Sequence, residues 1–151
     1  DGTIIIHPSG ELLRTSNTRD GYAVGVAVEK GFPVAIISGG KSDAVGVRFR
    51  GLGVKDIYLG ADNKIVALED FRKKYGLELP NLLYMGDDLP DLEVMRLVGV
   101  PTCPHDAAYE VKQVAAYISS FNGGKGCVRD VIEQVLRLNG KWGRGSDINM
   151  Q

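Results

Sequence analysis

Cysteine is scarce: the 151 residues hold only two, Cys103 and Cys127. They lie far apart and show no metal-ligand spacing. That excludes a disulfide framework and a zinc site, and predicts free thiols in a reducing cytoplasm. Histidine is as rare, and His7 and His105 are isolated, which suits surface or loop roles. No charge of one sign prevails: 18 basic and 19 acidic residues leave a formal charge of −1, without the basic footprint of a nucleic-acid partner. No apolar run approaches membrane length and no signal-peptide pattern opens the sequence, so no membrane partner is expected. The chain does have glycine, 20 residues of it, mostly at the ends of apolar runs where it serves as a turn.

Those runs alternate with helical patterns. Residues 3–6 and 12–15 read as a hairpin around His7-Pro8-Ser9-Gly10. Helical periodicity over residues 20–30 ends at Gly31, a C′ glycine. Strands follow at 33–37, 56–59, 81–85, 100–103 and 117–119, with helices at 42–52, 63–75, 91–98, 107–114 and 128–138 between and after them. Strand and helix alternation with short loops predicts an α/β fold, a Rossmann-like parallel sheet covered on both faces. Residues 1–140 form one domain in this reading and 141–151 a flexible tail.

Ligands of such sheets bind at the carboxyl ends of the strands. One strand ends there in Leu82-Leu83-Tyr84-Met85-Gly86-Asp87-Asp88-Leu89-Pro90-Asp91. Three close carboxylates repel one another unless a cation sits between them, and hard oxygen ligands suit Mg²⁺. An acidic turn capping a helix is the plainer alternative. Ser38 ends a second strand, and Lys64 opens the helix after a third. A hydroxyl and an ammonium beside a carboxylate cluster suggest a phosphate site. Singly, Ser38 also fits local backbone satisfaction and Lys64 a solvated helix surface; their common edge favours the phosphate reading.

The order Ser38, Lys64, Gly86-Asp87-Asp88-x-x-Asp91 resembles the second to fourth motifs of haloacid dehalogenase-like phosphatases. Ser9-Gly10-Glu11, Arg19-Asp20-Gly21-Tyr22, Leu52-Gly53-Val54-Lys55 and Gly123-Gly124-Lys125-Gly126 narrow it. They are similar to the 3-deoxy-D-manno-octulosonate 8-phosphate (Kdo 8-phosphate) phosphatases over about residues 1–140. The resemblance implies a Mg²⁺-dependent phosphomonoester hydrolase of lipopolysaccharide precursor synthesis, without a large cap and active as a homotetramer. It implies Asp87 as metal ligand and Asp88 as a ligand through water. Asp91 would orient Lys64 or a metal-bound water, and Ser38, Gly39 and Lys64 would hold phosphoryl oxygens. Arg19, Arg48 and Lys125 become candidates for the sugar-acid carboxylate or for ordering a neighbouring subunit's cover; surface ion pairs are equally ordinary for them.

The family opens with an Asp-x-Asp pair, the nucleophile and the general acid/base. Counting back from Ser9-Gly10-Glu11 puts Asp1-Gly2 on a later Asp-Gly. The expectation is therefore that the nucleophile and its central strand lie upstream, between the strands ending at Ser38 and Met85, and that the chain alone is inactive. Gly40 stands where relatives acting on nine-carbon sugar phosphates carry an acid, which favours the eight-carbon substrate. The alternatives are a nonulosonate 9-phosphate phosphatase and a non-catalytic oligomerisation module like those joined to sugar cytidylyltransferases. A phosphoacceptor receiver domain has its acidic pair and lysine in the wrong order.

Overall fold

A computed structural model describes residues 3–143. A two-stranded antiparallel hairpin, β1 (Ile5–Ile6) and β2 (Leu12–Leu13), opens them. Helix α1 (Thr18–Glu29) follows. Asn17 caps it by accepting hydrogen bonds from the Arg19 and Asp20 amides. The remaining order is β3 (Ala35–Ile37), α2 (Asp43–Gly51), β4 (Asp56–Tyr58), α3 (Lys64–Tyr75), β5 (Leu83–Met85), α4 (Leu92–Leu97), β6 (Val100–Cys103), α5 (Tyr109–Val114), β7 (Tyr117–Ile118) and α6 (Cys127–Leu138). Every strand and helix read from the sequence is present, with ends displaced by a few residues. Two 3-10 turns, Leu79–Asn81 and Leu89–Asp91, were not foreseen.

The parallel strands form two ladders rather than one sheet. β3 pairs with β4, Ile36 opposite Ile57; β6 lies between β5 and β7. No ladder bond joins β3 to β5 among the described residues. Both nevertheless pack on the cluster of Leu68, Phe71, Leu82 and Val94, which α3 and α4 help to build. A second cluster under α5 holds Met95, Cys103 and Val111.

The third cluster corrects the sequence reading of the tail. Trp142 is buried against Ala23, Val26 and Leu136, so at least this residue beyond 140 belongs to the core; residues 144–151 lie outside the described residues. α1 turns a mostly apolar face to α6, with Ala23, Val26 and Ala27 buried there, and the indole packs on that seam. Both cysteines are free and buried. Burial, with Asp20 nearby, pushes the Cys127 thiol up to about 11, the behaviour of a packing residue.

Candidate active site

The turn after β3 is built mostly by backbone. The Ser38 amide donates to Tyr58 O at 2.9 Å, Ala61 N to Ser38 O at 2.9 Å, and Gly60 N to Gly40 O at 2.8 Å. The loops after β3 and β4 are thus tied together. Ser38 Oγ accepts from Gly40 N at 3.1 Å, which leaves its own proton to donate outward. The second loop leads to Asn63, which caps α3 through Ile65 N and sets Lys64 on the first turn.

Lys64 Nζ donates to Asp91 Oδ1 at 2.8 Å, an ion pair whose side chains are 18% and 5% exposed. Tyr84 OH donates to the same oxygen at 2.6 Å. The amides of Asp87 and Asp88 donate to Asp91 Oδ2 at 2.9 and 3.3 Å. Burial alone would raise the Asp91 pKa, but the hydrogen bonds from Lys64, Tyr84 and the Asp87 amide outweigh it and hold the carboxyl below its ordinary range. Burial, then the bond to Asp91, drives the Tyr84 hydroxyl far up.

Of the three carboxylates, Asp91 is the one that pairs with the Lys64 ammonium, and it is withdrawn beneath the loop. Gly86 makes that possible, because a Cβ there would lie 2.5 Å from Asp91 Cβ and 2.9 Å from Met95 Sδ. Asp88 is also engaged, its Oδ1 accepting from Leu89 N at 2.8 Å in the 3-10 turn; the capping alternative is realised here. No three potential ligand side chains converge among the described residues. Asp87 is an exposed residue, and partial burial, then Asp91 and Asp88, raises its pKa. One open carboxylate with a second beside it fits Mg²⁺, which usually draws most of its shell from water and phosphate.

Lys64 and the Asp87 amide are thus joined through Asp91, while Ser38 stands at the end of β3, tied by the Gly60 and Ala61 backbone to the loop that leads to Lys64. Gly39 is exposed on the same turn. The three basic candidates are not joined to them by any described contact. Arg48 lies across α1, its Nη2 2.5 Å from where a Cβ on Gly21 would sit. Arg19 and Lys125 flank a different junction, where Asn17 Nδ2 donates to Gly124 O at 3.1 Å. Tyr84 escaped the sequence reading. Its signal was a lone hydroxyl in an otherwise apolar strand leading into the acidic turn. A cavity of about 270 Å³, walled by Asp62, Asn63, Lys64, Pro90 and Glu93, opens beside the lysine. Another, of about 240 Å³ near Phe32, Val54 and Asp56, lies at the opposite strand ends, away from this chemistry.

Known proteins share this arrangement's sequence and fold. Residues 41–132 match the haloacid dehalogenase-like hydrolase family. The chain is 38% identical over 141 residues to the Kdo 8-phosphate phosphatase KdsC of Escherichia coli K12, covering 93% of this chain and 75% of that protein. The Kdo 8-phosphate phosphatase structure from Yersinia pestis superposes with a TM-score of 0.89 at 32% identity, covering 93% of this chain and 76% of that one. That of the Moraxella catarrhalis enzyme, in complex with magnesium ion, phosphate ion and Kdo, gives 0.86 at 35%, covering 90% and 78%. On that match and identity, the chain belongs to the haloacid dehalogenase-like hydrolases, as a phosphatase of the Kdo 8-phosphate phosphatase family.

Proposed function

We propose that this site hydrolyses Kdo 8-phosphate with Mg²⁺, in the cytoplasm, as a step toward lipopolysaccharide. The observation that carries the reading is the Lys64–Asp91 pair held beneath the open Asp87 carboxylate. A lysine fixed by a buried acid is a preset positive charge, and phosphoryl transfer is catalysed largely by positioning and charge. Lys64 and the Ser38 hydroxyl bind the phosphoryl oxygens. Asp87, assisted by Asp88, would hold Mg²⁺, which when bound supplies further neutralisation of phosphate charge. That the Moraxella catarrhalis relative was solved with magnesium ion, phosphate ion and Kdo supports the classes of ligand proposed here. Gly40 favours the eight-carbon sugar acid.

In the family the attacking group is an Asp on a strand that fits between β3 and β5, and it forms an aspartyl-phosphate that water hydrolyses. No ladder bond closes that slot among the described residues. The test compares phosphate release from Kdo 8-phosphate by this chain and by a form extended with an Asp-x-Asp strand. Activity is expected in the extended form alone. It should vanish with a chelator and fall by orders of magnitude in Lys64→Ala. Comparable turnover by both forms would place the nucleophile within these residues, and no turnover of Kdo 8-phosphate by either would end the substrate assignment.

A further inference from the structure

Asparagine stands before glycine twice, at Asn122-Gly123 and Asn139-Gly140. Asparagine is among the thermolabile residues. A following glycine, with no Cβ, lets its amide nitrogen approach the side-chain carbonyl carbon with least obstruction. The structure treats the two pairs differently. Asn139 caps the end of α6. Its Nδ2 donates to Val135 O at 2.7 Å, which ties the side chain back along the helix, and Gly140 N donates to Arg137 O at 3.0 Å. Both reacting groups of that pair are engaged. Asn122 is exposed on the loop before α6, and no hydrogen bond among the described residues holds its side chain. Only its neighbour is restrained: Gly123 is buried, and its N–H donates to Asp106 Oδ1 at 2.8 Å. A carboxylate against that N–H opposes loss of the proton, because the nitrogen anion would face a negative charge.

We propose that Asn122 is a deamidation site and that Asp106 sets its rate. The Gly123 nitrogen gives its proton to solvent hydroxide and attacks Asn122 Cγ. A C–N bond closes a succinimide ring as the Cγ–Nδ2 bond breaks, and Nδ2 takes a proton from water and leaves as ammonia. Water then opens the ring at either carbonyl. One opening gives aspartate. The other gives isoaspartate, whose main chain runs through Cγ and is longer by one carbon.

Asn122 lies between two fixed points. Phe121 O accepts from His105 N at 2.9 Å, and Gly123 N donates to Asp106. A longer isoaspartyl link cannot keep both bonds as they are. The turn that gives way also carries Ala108, whose N–H donates to Asp87 O at 2.9 Å. Deamidation therefore loosens the support beneath Asp87. Its bearing on catalysis, though not the modification itself, rests on the function proposed above.

The chain is incubated at mildly alkaline pH and followed by peptide mapping with mass spectrometry that separates aspartate from isoaspartate. The wild type should convert Asn122 and spare Asn139. Asp106→Ala should speed conversion at Asn122 about tenfold, the worth of one hydrogen bond to a charged group. Asp106→Asn, which offers an acceptor without the charge, should fall between. Gly123→Ala should slow conversion, and the backbone there tolerates it because φ is not positive. Hydrogen exchange over residues 104–108 should be faster in the aged protein than in the fresh one. An intact Asn122 in the wild type and in both Asp106 variants overturns the proposal, and so does faster conversion at Asn139. Equal rates at Asn122 in the wild type and in Asp106→Ala overturn the role of Asp106. So does a gain at Asn139 matching that at Asn122, the mark of general unfolding. Unchanged exchange over residues 104–108 in the isoaspartyl form overturns the link to Asp87, whatever becomes of the phosphatase reading.

Discussion

Asp91 is the residue on which the site turns. Its two oxygens receive a lysine, a tyrosine and two backbone amides, so that one side chain orients Lys64 and shapes the loop carrying Asp87. Asp91→Asn keeps the shape but puts an amide donor against donors, and leaves a largely buried ammonium without a counter-charge. Breaking such a pair from one side costs about 3–5 kcal/mol, less where water reaches the lysine. Denaturant titration should show a loss of at least about 2 kcal/mol; a variant as stable as wild type would mean that the pair contributes only orientation. The sequence made Lys64 and Asp91 legible because both fall at strand-end positions in a known order. The family resemblance named Asp87 and Asp88 for the metal and Asp91 for orienting Lys64, but the residues alone did not show which carboxylate finds a protein donor, which the fold gives as Asp91.

At the scale of elements, capping explains more than periodicity. α6 has Gly126 at its N-cap, which offers no side chain. The cap comes from α1 instead, where Asp20 Oδ1 accepts from Arg129 N at 2.9 Å and Oδ2 from Gly126 N at 3.3 Å. A carboxylate there also meets the positive end of the helix dipole. Asp20→Ala should lower stability by about 1–2 kcal/mol in chemical unfolding, with Asp20→Asn retaining roughly half. Equal stability of all three would show that water caps α6 as well as Asp20 does. Local signals had placed most helix ends, because Gly31, Gly53 and Gly76 all adopt positive φ. The Asp20 cap was invisible, since its partners stand more than a hundred residues away in sequence. The 3-10 turns were missed because three residues around Pro80 or Pro90 carry no period.

The whole molecule leaves apolar surface uncovered at one end. Ile5 and Ile6 are 53% and 73% exposed, and Leu12 is 53% exposed, on a hairpin too small to be stable alone. We expect this hairpin to pack against other copies of the chain, as a tetramer. Light scattering at micromolar concentration should give a mass above that of a monomer, and Ile5→Lys with Ile6→Glu should shift it downward. A strict monomer in the parent would refute this. The alternation of elements gave the parallel strands. It gave no distances across α3, so how the β3 and β5 ladders stand to each other had to come from the fold.

The clasp between α1 and α6 has an optical consequence. Trp142 is the single tryptophan, edge-on to Tyr22 with ring centres 5.9 Å apart, and the Arg129 guanidinium carbon lies 5.3 Å from its ring. All indole fluorescence therefore originates at one buried point on the seam that Asp20 caps. Native emission should be blue-shifted and poorly quenched by acrylamide. Its red shift in urea should mark the parting of the two helices, and should come at lower urea in Asp20→Ala than in wild type. Coincidence of this transition with loss of far-ultraviolet ellipticity would identify the seam with global unfolding. An earlier red shift would identify α6 and Trp142 as a unit that detaches first, visible by light alone without any added label.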